Sequence, residues 1–278
     1  MVTLVDKIGS KLAFFPPDPP SYKVEQHGDG AREDGLKKVH RAQVVRVPSP
    51  RSKGNIVGVF LPAPGADKVR FTLLHSHGNA VDVGEMLPLY EELAALLRCN
   101  IFAYDYTGYG RSDGTPSAAA TLGDITAAFD CLLTQYDKQP QDIVLYGQSV
   151  GSGPTSFLAA RQHQVAGVVL HSPFMSGMRV LNPTWTHWPG WLDIFPNYKW
   201  VPRIQSPVLV LHGTQDEVID ISHGKKLHSL CKRPAEPLWA AGCNHQNLEG
   251  SPEYLKRVRA FLGTCFGDDY KRHVGLLK

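Results

Sequence analysis

The chain has 278 residues, 42% of them hydrophobic and 20% charged, with a net charge of +3. That balance suits a globular protein able to bury a core without disulfides or a structural metal, and it is too mildly basic for a nucleic-acid surface. Five scattered cysteines (Cys99, Cys131, Cys231, Cys243 and Cys265) fit reduced thiols in a cytoplasmic compartment better than a disulfide framework, and no run of about 20 apolar residues forms a spanning helix.

In chain order, residues 1–25 stand apart from the body. Leu4, Val5, Ile8 and Leu12 recur at helical spacing with Lys7 and Lys11 among them. Such a stretch lies on a membrane surface or packs on the protein itself, and both readings are open. Pro16, Pro17, Pro19 and Pro20 then end any helix and give an extended connector. Gln26 to Lys38 is polar and glycine-rich and reads as an exposed loop.

From there to residue 278 a single body is expected, in which strand-like and helix-like segments alternate. HRAQVVRV, NIVGVFLPA, RFTLLHSHG, NIFAYDY, DIVLYG, VAGVVLHSP, SPVLVLHG and PLWAAG read as eight strands. MLPLYEELAALLR reads as a helix with Leu89, Leu93, Leu96 and Leu97 on one face. TLGDITAAFDCLLTQY reads as another, with Leu122, Ile125, Phe129, Leu132 and Leu133 inward. GPTSFLAARQ and PEYLKRVRAFLGTCF complete the helices. The alternation predicts an α/β fold with a mostly parallel eight-stranded sheet flanked by helices. IVLYG, GVVLHS and PVLVLHG are apolar nearly throughout, as strands buried on both faces must be. An insertion at about 175–205, after the sixth strand, holds four of the five tryptophans: Trp185, Trp188, Trp191 and Trp200. A lid over a site and simple packing onto the body are equally open readings of it.

In parallel sheets chemistry collects at the carboxyl ends of strands. At the end of IVLYG stands Gly147-Gln148-Ser149-Val150-Gly151, a G-x-S-x-G between strand and helix, which is the setting of a nucleophile elbow. A phosphate loop is the competing reading, but the Walker lysine is missing and the glycine spacing does not match G-x-G-x-x-G. A serine needs a base, and the base an orienting acid, in the chain order Ser, Asp/Glu, His of an α/β-hydrolase fold. Asp216 follows the strand PVLVLHG and is the preferred acid, with Glu217 and Asp220 as competitors. His245 lies in the loop after the last strand. His171 and His212 also lie at strand ends and are given structural roles. The backbone N–H of Val150 and that of Asn79, after the third strand, are the candidate oxyanion donors, each worth on the order of 3 kcal/mol. No cofactor is required. Cys243 and His245 lack the second ligand pair that a metal site needs.

SHGNAVD, YDYTGYGRSDG, LYGQSVGSGPT, HSPF, HGTQDEVID and GCNHQNLE, with KLAFFPPDPPSY near the N-terminus, resemble the α/β-hydrolase domain-containing protein 17 family over nearly the whole chain. The resemblance implies a serine hydrolase that removes palmitate from S-acylated cysteines of peripheral membrane proteins, with Ser149, Asp216 and His245 as its triad. It implies a cytoplasmic enzyme, peripheral on the cytosolic face of membranes; a monomer is the default expectation. The animal members carry a palmitoylated cysteine cluster near the N-terminus; here no cysteine precedes Cys99, and no glycine follows Met1 for N-myristoylation. Two other readings stay open: a general carboxylesterase or lipase-like hydrolase using the same triad, and a non-catalytic binding protein on a hydrolase fold.

Overall fold

A computed structural model describes residues 14–22, 42–51, 54–65, 69–162, 164–181 and 193–276. The amphipathic stretch from Leu4 to Leu12, the loop from Gln26 to Lys38, and Trp185, Trp188 and Trp191 lie outside the described residues. The chain forms two compact units, Met1–Lys138 and Gln139–Lys278, and among the described residues each holds four of the eight strands.

In the first unit β1 (Gln43–Ser49) pairs antiparallel with β2 (Gly54–Leu61), and β2 antiparallel with β4 (Asn100–Tyr104). β4 runs parallel to β3 (Thr72–Ser76), with Leu74 opposite Phe102. β3 and β4 are buried at every position, including the polar Thr72, His75, Ser76 and Asn100. Helix α1 (Val83–Leu97) starts where the Asp82 side chain accepts from the Glu85 N–H, an N-cap that satisfies one of the helix's orphan donors. Its inward face is Val83, Leu87, Tyr90, Leu93, Ala94 and Leu97, whereas Leu96, expected inside, is 38% exposed. Tyr90 sets that face: its ring packs edge-on against His75 with centroids 5.0 Å apart. Leu96 lies roughly 120° from Tyr90 around the axis.

Helix α2 (Ala118–Thr134) is capped by Ser117 and buries Ile125, Phe129 and Leu132 as expected, with Leu122 and Leu133 half-buried. The same helix buries Asp124, which the hydrophobic period does not foresee. Its Oδ1 accepts from Ser49 Oγ at 2.7 Å and Thr107 Oγ1 at 2.8 Å, and its Oδ2 from the Thr107 N–H at 2.8 Å. Residues Phe14–Tyr22 carry no helix or strand and are fastened by carboxylates of this unit. The Ser21 N–H donates to Asp82 Oδ2 at 2.8 Å, and Tyr22 Oη donates to Asp105 Oδ2. Asp105 Oδ1 accepts from the Val83 N–H at 2.9 Å, so one carboxylate joins the segment to the start of α1.

In the second unit β5 (Ile143–Gln148), β6 (Gly167–His171), β7 (Val208–Gly213) and β8 (Leu238–Ala240) are all parallel, with Tyr146 opposite Val169, Val169 opposite Leu209, and Leu211 opposite Leu238. Helix α3 (Ser152–Ala159) follows β5. The insertion begins with α4 (Gly177–Leu181) and returns through α5 (Asn197–Trp200). Its returning limb packs on α3: Asn197 Nδ2 donates to Ser152 Oγ at 3.2 Å, and Trp200 meets Phe157 edge-on with centroids 5.5 Å apart. Helix α6 (Ile221–Leu230) gives little sign of itself in the sequence: its buried residues are His223, Gly224 and Leu227, so Leu227 is the one large apolar side chain among them. Helix α7 (Pro252–His273) runs past the expected end at Phe266, but Gly267 at φ 69° and ψ −153° interrupts it there. Among the described residues, no helix is long and apolar enough to cross a membrane.

Burial pushes the Asp124 carboxyl up to about 6, against the opposing pull of its hydrogen bonds from Ser49 and Thr107. A carboxyl raised on folding binds its proton more tightly in the folded state. Its stabilisation is therefore complete below the unfolded value near pH ~4 and is lost as pH rises through about 6. The loss is on the order of 3 kcal/mol. Asp124→Asn can present its oxygen to the Thr107 N–H and its amide to the two hydroxyls, with no charge to bury. Urea unfolding of both proteins from pH 4 to 7 should show the variant gaining on the wild type as pH rises. Parallel stability curves would overturn this account of Asp124.

Candidate active site

Ser149 stands at the turn from β5 into a single 3-10 turn, Ser149–Gly151, that opens α3. Its φ is +51°, a left-handed conformation that a serine adopts only under constraint from its surroundings. The constraint is a close approach of strand and helix. A Cβ at Gly147 would stand 2.5 Å from the Gly151 carbonyl oxygen and 2.6 Å from Thr155 Oγ1, so no larger residue fits beneath the turn.

Asp216 is three residues past the end of β7. Its side chain has no exposed surface. Oδ1 accepts from the N–H groups of Val218 at 3.0 Å and Ile219 at 2.7 Å. Oδ2 lies 2.8 Å from His245 Nδ1 and 3.3 Å from His212 Nε2. Burial alone would push this carboxyl up, but hydrogen bonds from His212, His245 and the Ile219 N–H outweigh it and hold Asp216 well below the usual carboxylate range. The competing acids are elsewhere: Glu217 is exposed, and Asp220 caps α6 by accepting from the Ser222 N–H at 2.9 Å.

His245 sits in a turn laced by asparagines. Asn244 Oδ1 accepts from the N–H groups of Gln246 at 2.9 Å and Asn247 at 3.1 Å, and Asn247 Oδ1 accepts from the Asn244 N–H at 2.8 Å. The Gln215 N–H donates to the Cys243 carbonyl at 2.9 Å, tying this turn to the loop that carries Asp216. His245 Nε2 then lies 3.1 Å from Ser149 Oγ. An ionised Asp216 can only accept, so His245 Nδ1 carries the proton and Nε2 presents its lone pair to the Ser149 hydroxyl. The structure thus brings together Ser149, Asp216 and His245.

Val150 follows the serine in the 3-10 turn and is buried. Asn79 belongs to the first unit. Its Oδ1 accepts from the Phe15 N–H at 3.0 Å, the Ala80 N–H at 3.1 Å and Tyr109 Oη at 2.6 Å, and Ala80 beside it has φ +58°.

Two features around the triad had no local signal in the sequence. Gln148, before the serine, donates through Nε2 to Glu249 Oε1 at 3.0 Å, a contact spanning 101 residues that latches the far end of the His245 loop to the elbow. Glu249 Oε1 is also 3.6 Å from His171 Nδ1. His171 itself is buried, 2.9 Å from Tyr146 Oη, which in turn lies 2.8 Å from Tyr254 Oη. Burial pulls the His171 ring below its ordinary value, against the opposing pull of Glu249. His171 is thus engaged with Tyr146 and Glu249, whereas His212 makes direct contact with Asp216.

Residues 73–263 match the family model described as "Alpha/beta hydrolase family". The human protein named Alpha/beta hydrolase domain-containing protein 17B is 43% identical over 267 residues, covering 92% of this chain and 91% of its own. A Caenorhabditis elegans relative, Alpha/beta hydrolase domain-containing protein aho-3, is 43% identical over 264 residues, covering 92% of this chain and 77% of its own. Among solved structures, the Pyrococcus furiosus esterase Pf2001 superposes with a TM-score of 0.68 at 17% identity, covering 92% of this chain and 98% of that one. The Rhodococcus esterase RhEst1 superposes with a TM-score of 0.59 at 22% identity, covering 80% of this chain and 99% of that one. At those identities the likeness speaks for the fold; the closer sequence kinship carries the family, and the chain belongs to the α/β-hydrolases, among the relatives named domain-containing protein 17.

Proposed function

We propose that this protein is a serine hydrolase of acyl thioesters that removes palmitate from S-acylated cysteines of peripheral membrane proteins. The observation that carries the hydrolase reading is the continuous proton path from Asp216 through His245, at 2.8 Å, to Ser149, at 3.1 Å. In the proposed cycle His245 Nε2 takes the hydroxyl proton as Ser149 Oγ attacks the thioester carbonyl. The Val150 and Asn79 amides are the proposed donors to the oxyanion. The tetrahedral species collapses as His245 returns the proton to the departing cysteine sulfur, leaving a palmitoyl-serine. Water, deprotonated by His245, then releases the fatty acid and restores Ser149. Asp216 stays ionised throughout and fixes the imidazole tautomer. None of these steps calls on a cofactor.

The choice of thioester and palmitate rests on the motif strings that the chain shares in kind with its family. The same triad would open an ester by the same tetrahedral path, so a carboxylesterase is the second reading. The proposed setting is the cytosolic face of membranes, where such substrates lie.

The first test is palmitate release from an S-palmitoylated peptide, with a short-chain ester alongside and Ser149→Ala as the control. Release by the wild type and none by the variant is the expected result. Turnover of the short ester alone would replace the thioesterase with a general esterase. Turnover of neither, or a Ser149→Ala variant with undiminished rate, would remove the serine hydrolase reading.

Asp216→Asn probes the path separately. Its amide group leaves Nδ1 of His245 without an acceptor of fixed polarity, and kcat should fall about 10³–10⁴-fold while thermal unfolding shows the fold intact. A decrease of less than about tenfold would mean that another acid orients His245.

A further inference from the structure

We propose that His212 is a positioning residue for the triad, which shares the Asp216 carboxylate with His245 and thereby sets how strongly His245 holds its proton. The inference rests on the proposed serine hydrolase reading for its consequence in catalysis, but its geometry stands without any substrate.

His212 is fully buried near the end of β7. Its Nε2 lies 2.8 Å from the Ile219 carbonyl oxygen and 3.3 Å from Asp216 Oδ2. A carbonyl oxygen can only accept, so Nε2 must carry a proton. That proton goes to the Ile219 carbonyl, and the same Nε2 edge stands 3.3 Å from the carboxylate oxygen. The other ring nitrogen, Nδ1, is buried with no hydrogen-bond partner. It abuts Gly224 on α6, where a Cβ would stand 2.5 Å away. The ring is therefore held from two sides: a hydrogen bond to Ile219 fixes its Nε2 edge, and the bare glycine backbone fills the space behind Nδ1. The arrangement leaves Asp216 Oδ2 facing two imidazoles, one fixed and one, His245, with 15% of its side chain exposed.

The direction of the effect follows from charge. Each donor on Oδ2 lowers the carboxylate's attraction for the next one. With His212 in place, Asp216 holds the imidazolium form of His245 less tightly than an unshared carboxylate would, so His245 is free to act as a base at lower pH. The other titratable groups near this path are His171, which senses both His245 and His212, and Glu249, 3.6 Å from His171. Asp220 and His223 face His212 from the start of α6. None of these four is removed by changing His212, so a variant there isolates the contact of its Nε2 edge with the Asp216 carboxylate.

The test is a proton NMR titration of the His245 Cε1–H resonance, assigned by its loss in His245→Gln, in the full chain. In His212→Phe, which keeps a ring and removes the donor, the titration midpoint should move up by about half a pH unit or more. His212→Gln places an amide N–H near the Nε2 position and should return the midpoint to within about 0.2 pH units of the wild type. Gly224→Ala is the second probe, because it displaces the ring while leaving every hydrogen-bonding atom present; its midpoint should also depart from the wild type. Where acyl release is measurable, the acid limb of kcat/KM against pH should move with the NMR midpoint, and activity at pH 6 should fall about threefold or more for the Phe variant.

A purely structural His212 would lower thermal stability and leave the His245 midpoint in place for both His212→Phe and Gly224→Ala, and that result overturns the proposal. A Gln variant indistinguishable from Phe overturns it too. A midpoint that moves as expected in a protein without any Ser149-dependent turnover would instead retire the proposed function and leave the electrostatic coupling standing.

Discussion

A negative charge removed from water has to be held by donors, and at the carboxyl end of the second unit's sheet that charge is Asp216. Its two oxygens are treated differently. The Val218 and Ile219 amides occupy Oδ1, which fixes the carboxylate plane against its own loop. Only Oδ2 is left to face the imidazoles, and it meets His245 at 2.8 Å. The orientation of His245, and with it the 3.1 Å approach of Nε2 to Ser149, follows from an oxygen that can point in one direction only. Backbone amides pointed at one oxygen cost nothing to reorganise when a proton moves at the other end of the histidine.

Such a cluster can form because the parallel sheet ends where it does. β5, β6 and β7 are apolar along their length, and each turns polar at or next to its final residue: Gln148, His171 and His212. Gln148 lies directly opposite His171 in the register, and His171 opposite Leu211, so the polar side chains form a layer across one edge of an apolar core. Each of them finds a partner, from a segment after a strand for Gln148 and His212 and from the neighbouring strand for His171. Gln148 takes Glu249, His171 takes Tyr146, and His212 takes Ile219 and Asp216. The layer thus joins the elbow, the acid loop and the histidine loop, and the segments that connect the strands are held by it as much as by their own turns.

The parts legible in the sequence are those whose cause is local. Gly147 and Ser149 are readable because a close strand-to-helix approach and a strained turn need those residue types in that order. Asp216 and His245 are readable because chain order and a strand end stand behind each. All eight strands are readable from strand-like segments between turns, and β5, β6 and β7 most plainly as apolar runs. What stays hidden in the sequence has a distant cause. Leu96 reads as inward, but Tyr90, packed on His75, fixes the face of α1 and leaves Leu96 exposed. Helix α6 has a single large apolar side chain among its buried residues, Leu227, so it does not stand out although its Asp220 cap is in the sequence. Asp124 interrupts an apolar face for partners at Ser49 and Thr107, and Glu249 meets Gln148 across 101 residues. Pair contacts of that kind leave no mark on either sequence segment alone.

Buried carboxylates recur in both units, and the comparison of Asp124 with Asp216 shows what decides their state. Burial is the largest influence on each, and it pushes both upward. Asp124 is met by two hydroxyls and one backbone amide, and burial prevails. Asp216 is met by two backbone amides and two imidazoles, and the donors prevail. A hydroxyl can donate to a carboxylate or accept from a carboxylic acid, so Asp124 fastens β1 and the Thr107 turn to α2 in either protonation state. Backbone amides have no such freedom, and a protonated Asp216 would set a donor against the N–H of His245. The residue types around each carboxylate therefore match the demand placed on it: a fastening group tolerates both states, while a group that must fix the tautomer of a base is surrounded by donors that keep it charged.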